Sequence, residues 1–148
     1  MDHTSTYDYR EVMKLSNQLC FPLYAAARKV TALYTPFLTE LNLTYTQYLV
    51  LLVLWEQDGI PVSEICRRLH LDNGTVSPLL KKLEKEGLLE KSRSPEDERV
   101  VLITLTDTGR ALQERAKEIP GKVGSCVRLT PGKALTLYQL LYELLDEE

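Results

Sequence analysis

The side chains able to do redox or metal chemistry in this 148-residue sequence are few and scattered: three cysteines, Cys20, Cys66 and Cys126, and two histidines, His3 and His70. An odd number of widely spaced cysteines with no CxxC is neither a disulfide framework nor a zinc-finger pattern. No metal and no cofactor is expected from such a set. What remains is thiolate chemistry. A thiolate attacks peroxides when its anion is stabilised, and the sulfenic acid that results needs a partner to receive it. Cys20 lies in "SNQLCFPLYAAARKV". An isolated cysteine on an apolar helical face is more often a small core residue than a reactive one. Pro22 leaves two readings open: it starts the helix, placing Cys20 beside free amides and the positive helix end, or it bends a helix that runs through. Cys66 falls on an apolar stripe and is expected in the core. Cys126 lies in "GKVGSCVRLT", in an expected loop between two helices.

A second set of residues suits a polyanion. The net charge of -3 argues mildly against nucleic acid, but the stretch from Arg67 to Arg99 holds eight basic and seven acidic residues, net +1, leaving -4 elsewhere. Placement matters more than the balance. Asn73, Thr75 and Ser77 precede Pro78, Lys81, Lys82 and Lys85, the order of short polar groups and then bases that a recognition helix needs. With Val76, Leu79, Leu80 and Leu83 turned inward, Thr75, Pro78 and Lys82 share the opposite face, and Lys81 and Lys85 run along its edge. Thr75 and Ser77 can bond phosphates or base edges, Pro78 can meet a thymine methyl, and the lysines neutralise phosphates. Arg93 and Arg99 are expected at a hairpin tip, where an arginine suits the narrow minor groove. Asp97 can hold the Arg99 guanidinium in a bidentate pair. Alone, the lysines read equally as a solvated face paired with Glu84 to Glu86; their position within a helix-turn-helix favours DNA.

The elements that must position these groups follow from periodicity and caps. Apolar residues recur at helical steps from about Leu15 to Leu41, an amphipathic helix with possible breaks at Pro22 or Pro36. "LTYTQYLVLLVLWEQDG" is a second helix, capped by Thr44 with Gln47 completing a capping box, apolar on nearly every face from Tyr48 to Trp55 and stopped by Gly59. Pro61 is expected in the first turn of a short helix with Val62, Ile65, Cys66 and Leu69 inward. Asp72 or Asn73 caps the next helix, which Gly87 ends. Two short helices joined by a tight turn form a helix-turn-helix. "LLEKSRS" and "RVVLITLT" flank "PEDE" as a β-hairpin. A helix capped at Thr106 or Asp107 follows, interrupted by Pro120, Gly121 and Gly124, and a last helix opens at Thr130 and Pro131.

The fold class is therefore mainly α with a small β-hairpin wing: a winged helix-turn-helix. One domain over 1–148 is expected, with the winged-helix lobe at about 44–105. The helices at about 8–42 and 106–148 are too apolar for a monomer to hide, which predicts a homodimer. No run of about 18 apolar residues occurs, and the start, "MDHTSTYDYREVMK", is polar; no membrane contact and a cytoplasmic location are expected.

"DNGTVSPLLKKLEKEGLLEKSRSPEDERVVLITLTDTGR" resembles the recognition helix, wing and following helix of the MarR family of dimeric winged-helix repressors, and "QLCFPLYAAARKV" with "YTPFLTELNLTYTQY" is similar to the branch that senses organic hydroperoxides. The resemblance implies a repressor of pseudo-palindromic operator DNA, not an enzyme, with an organic hydroperoxide as inducer. It assigns the peroxide-reactive thiol to Cys20, the phenols that hydrogen-bond its sulfur to Tyr34 and Tyr45, and a resolving thiol on the other subunit to Cys126. Tyr34 lies about 21 Å along a straight helix from Cys20, so it must come from the partner. Pro22 departs from the small, helix-friendly residue usual in the family. Two other readings are a repressor released by a lipophilic or phenolic ligand with Cys20 passive, and a thiol peroxidase. The lack of a CxxC and of a βαβ pattern argues against the peroxidase.

Overall fold

The computed structural model describes residues 7–146. The first six residues, with His3 and part of the polar start read for a leader, and the last two lie outside them. After α1 (Tyr9–Val12) and a 3-10 turn at Leu15–Asn17, the long helix expected over 15–41 is two: α2 (Cys20–Ala32) and α3 (Thr35–Glu40). Proline explains both boundaries. Pro36 has no amide to give the Ala32 carbonyl, so α2 ends there, and Leu33 and Tyr34 hold only tightened bonds to Val30 and Thr31, at 3.1 Å each. Pro22 falls in the first turn of α2, where a missing donor costs nothing. Of the two readings of Pro22, the helix starts beside Cys20.

The core is built on α4 (Tyr45–Glu56), whose Tyr48, Val50, Leu51, Val53 and Leu54 are buried. Its start is the expected capping box: the Gln47 amide donates to Thr44 Oγ1 at 3.3 Å and the Thr44 amide to Gln47 Oε1 at 2.9 Å. The helix stops at Glu56, and Gly59 serves the turn beyond it with φ +67°. A strand absent from the expectations follows: β1 (Ile60–Pro61) pairs with β3 (Val101–Leu105), which pairs on its other side with β2 (Leu89–Arg93), all antiparallel. Pro61 is thus the last residue of an edge strand, immediately before α5 (Val62–Leu69), rather than inside that helix.

His70, in the left-handed region at φ 51°, ends α5, and Asp72 opens α6 (Asn73–Lys85) by accepting the Thr75 amide at 2.7 Å. Val76, Leu80 and Leu83 turn inward, Leu79 half so. Gly87, at φ +75°, turns the chain into Leu88 and β2. Thr106 caps α7 (Asp107–Ala116), accepting the Gly109 amide at 3.0 Å and donating to the Gly87 carbonyl at 2.6 Å. Gly109 is irreplaceable on distance: a Cβ there would stand 2.0 Å from the Leu88 carbonyl oxygen.

Pro120 interrupts the helix as expected, since it has no amide to give the Ala116 carbonyl and α7 ends there, but Gly121 and Gly124 interrupt nothing. They lie inside α8 (Ile119–Cys126), with Pro120 at its second position and Ile119 and Val123 buried. Burial of one apolar stripe overrides weak helix propensity. The last helix, α9 (Pro131–Leu145), is capped by Thr130. Neither α2 nor α9 has a buried residue, and Leu19, Phe21, Tyr24, Leu137, Tyr138 and Leu140 are exposed on them or at their ends. Among the described residues no single helix is long and apolar enough to cross a membrane.

Candidate DNA interface and thiol site

The exposed side of α6 carries Thr75, Pro78, Lys81, Lys82 and Lys85. Among the described residues none of the three lysines lies within ion-pair distance of a carboxylate, so the alternative pairing with Glu84 to Glu86 is not made. Their charge is available to phosphates. Arg67 and Arg68 on α5 differ: Arg67 is tied to Glu64 at 2.6 Å and Arg68 to Glu56. Asn73 and Ser77 sit apart from the Thr75–Lys82 face. Ser77 Oγ donates to Asn73 Oδ1 at 3.2 Å, and both line a groove of about 420 Å³ between α6 and the wing.

The wing is ordered by its own short-range bonds. The Asp97 carboxylate accepts the Arg99 amide at 3.0 Å and Nε at 3.1 Å through Oδ1, and Nη2 at 3.2 Å through Oδ2. The bonds from Arg99 hold the Asp97 carboxyl below its ordinary value. Arg93, expected at the tip, is instead the last residue of β2, and its Nη1 donates to the Glu98 carbonyl at 3.2 Å. It braces the loop from below while Arg99 projects.

Sequence reasoning missed two members of this surface. Ser63 and Lys91 line the same groove as Asn73, Ser77 and Arg99. Lys91 is an exposed residue of β2, on the strand face that carries Leu89 and opposite Ile103. Ser63 carries no local signal.

At the other end of the molecule Cys20 is the first residue of α2, exposed, with no side chain capping that helix end. Tyr34 and Tyr45 meet, their ring centroids 5.0 Å apart. Behind them Tyr48, read from sequence only as core, joins the cluster at 5.7 Å from Tyr34 and 6.5 Å from Tyr45. Burial, then the neighbouring Tyr34, pushes the Tyr45 hydroxyl above its usual value, so it is a protonated donor at neutral pH. Leu33 and Tyr34 keep right-handed helical backbone, so α3 carries on from α2 instead of folding back. Cys20 and Tyr34 of one chain therefore stay about 21 Å apart. Cys126 is exposed as well, but it is the last residue of α8 and not a loop residue; its Sγ donates to the Lys122 carbonyl at 3.4 Å. Cys66 is half-buried against the core. All three thiols are free, and no group of three or more His, Cys, Asp or Glu among the described residues is placed to hold a metal.

Residues 32–116 match the family of SarA/Rot transcriptional regulators. The organic hydroperoxide resistance transcriptional regulator of Bacillus subtilis is 47% identical over 134 residues, covering 90% of this chain and 91% of that protein. The chain belongs to the MarR family of winged-helix transcriptional regulators, in its organic-hydroperoxide branch.

Two solved structures of the family regulator AbfR of Staphylococcus epidermidis extend the likeness. Reduced AbfR bound to DNA superimposes with a TM-score of 0.73 at 38% identity, over 92% of this chain and 97% of that one. Disulfide-formed AbfR gives 0.64 at the same 38% identity, over 93% and 97%. As a MarR-family regulator the chain falls in a non-enzymatic class, and the thiol peroxidase reading is set aside. The three-stranded sheet and the helix-turn-helix of α5 and α6 are the winged helix of this family.

Proposed function

We propose that the protein is a homodimeric repressor that holds a pseudo-palindromic operator while Cys20 is reduced and releases it when an organic hydroperoxide oxidises that thiol. The observation that carries the reading is the pairing of Tyr34 with Tyr45 beyond the far end of α2 from an exposed Cys20. A phenol pair out of reach of its own thiol serves the thiol of a second chain. The exposed apolar surfaces of α2 and α9 favour that second chain, which α1–α3 and α7–α9 (about 8–42 and 106–148) would hold, leaving about 44–105 for DNA. The site acts in the cytoplasm, with no membrane involved.

The chemistry balances without a cofactor. The Cys20 thiolate attacks the outer peroxide oxygen; the O–O bond breaks, an S–O bond forms, and the peroxide leaves as an alkoxide that takes a proton from water. Sulfur loses two electrons and the peroxide becomes an alcohol. The Cys126 thiol of the other subunit then displaces hydroxide from the sulfenic acid, forming a disulfide and water. Tyr45, a protonated phenol at neutral pH, donates to the anionic sulfur before the reaction. On the DNA side, Thr75, Pro78, Lys81, Lys82 and Lys85 enter the major groove, Asn73, Ser77, Ser63 and Lys91 meet the intervening strand, and Arg99, aimed by Asp97 and braced by Arg93, enters the minor groove.

The test is operator binding before and after cumene hydroperoxide, with intact mass under non-reducing denaturing conditions. Wild type should release DNA and run as a covalent dimer, Cys126→Ser should not form that dimer, and Cys20→Ser should stay bound. Release by Cys20→Ser would sink the proposal.

A further inference from the structure

We infer that Trp55 is the positioning residue through which a change at the tyrosine cluster reaches the recognition helix, an inference that rests on the redox reading above. Tyr34, Tyr45 and Tyr48 continue into Trp55, which meets Tyr48 edge-on with ring centroids 6.3 Å apart. Tyr48 is 2% exposed, so the file has no slack around its middle member, and in a close-packed interior a displaced ring displaces its neighbour. Among the described residues, Trp55 is the member of this file whose polar atom is hydrogen-bonded to protein: Nε1 donates to the Gly109 carbonyl at 2.9 Å, across 54 positions of sequence.

Gly109 is where such a displacement would matter. Its Cα is pressed against the Leu88 carbonyl, with no room even for a methyl group. The Thr106 amide donates to the same Leu88 oxygen at 3.1 Å, and Thr106 Oγ1 donates to Gly87. Gly87 and Leu88 are the last two of the three residues between the end of α6 and the start of β2. The Trp55 indole therefore borders the phenol cluster at Tyr48, and its N–H holds the junction that α6, β2, β3 and α7 share. A shift of the phenols on thiol oxidation moves the indole, the indole moves Gly109, and Gly109 cannot move without moving the chain that joins recognition helix to wing. The rings supply the push, and the N–H supplies the connection.

Trp55→Phe keeps an aromatic ring and removes the N–H. Reduced Trp55→Phe should still bind operator, and Cys20 should still be oxidised by cumene hydroperoxide, as read by mass. The ratio of reduced to oxidised operator affinity should fall below about one-third of the wild-type ratio, a loss that the fivefold or larger coupling usual between linked sites can supply. A ratio above one-third of wild type overturns the inference. A merely structural role would lower the melting temperature and leave that ratio intact. If Trp55→Phe shows no cooperative melt, the emission of this single tryptophan in the wild type decides. A change on oxidation that is absent in Cys20→Ser supports the inference, and unchanged emission overturns it. Failure of the wild type to release DNA sinks the redox reading, and this inference with it.

Discussion

Asp97 grips Arg99 along one edge of the guanidinium, Nε on Oδ1 at 3.1 Å and Nη2 on Oδ2 at 3.2 Å, while the Arg99 side chain remains 90% exposed. An arginine so exposed ordinarily samples many rotamers. Here a carboxylate two residues away in sequence removes that freedom before DNA arrives, so less of it is lost on binding.

Asp97→Ala should therefore weaken operator binding about fivefold, the cost of ordering one long side chain, with little change in melting temperature because an exposed pair contributes little to folding. Arg99→Lys, which keeps the charge and loses the fork, should show a similar loss. Fluorescence anisotropy with a labelled operator measures both. Wild-type affinity in Asp97→Ala would mean that the aim of Arg99 is irrelevant.

Lys91 has no carboxylate partner among the described residues, whereas Arg67 is already bound to Glu64. If the groove between α6 and the wing seats a backbone strand, Lys91→Ala lowers the slope of log affinity against log salt by about 1 and weakens all sequences alike. Arg67→Ala changes it less. Titrations from low to moderate salt decide, and equal slopes for Lys91→Ala and wild type would remove Lys91 from the interface.

The Asp72 carboxyl is held below its ordinary value by its hydrogen bonds from Thr75, with a smaller contribution from the Gly74 amide. A lowered folded value means that the stabilisation is present above the unfolded carboxylate value of about 3.9 and is lost as pH falls through the folded one. Asp72→Ala should melt about 2–4 °C below wild type at pH 7, and the difference should close in the acid range below the ordinary carboxylate value. A constant gap down to pH 2 would show that the cap acts through something other than its charge.

Tyr45→Phe removes the phenol donor and keeps the ring. Cys20 in that variant should react with cumene hydroperoxide about tenfold more slowly at pH 7, the loss of one hydrogen bond to a charged group, as followed by quenched-flow mass analysis. Reduced operator affinity should not change. A wild-type rate would place Tyr45 outside the thiol site.

What was legible in the sequence was local. Thr44 with Gln47, Asp72, Thr106 and Thr130 each cap a helix through a bond spanning three residues, and Asp97 reaches Arg99 across two. Residue type and spacing are enough to specify such contacts, so the helix-turn-helix, the hairpin and the aim of the wing arginine follow from reading along the chain. Pro22 and Pro36 likewise act on their own helices, and only the choice between a start and a bend at Pro22 needed the coordinates.

The sequence by itself thus determined most of the element types, their caps and the inward stripe of α6. Tertiary structure decided what depends on partners far away in sequence. Two residues become β1 because Ile60 and Pro61 meet Ile103 and Leu102. A glycine-containing segment becomes α8, with Cys126 at its end, because Ile119 and Val123 are buried. Ser63 and Lys91 join Asn73 in one groove because the sheet folds against α6, and Trp55 finds Gly109 across the core. Bonds within a turn are set by neighbouring residues, whereas burial and long-range pairing are set by which surfaces the whole chain brings together.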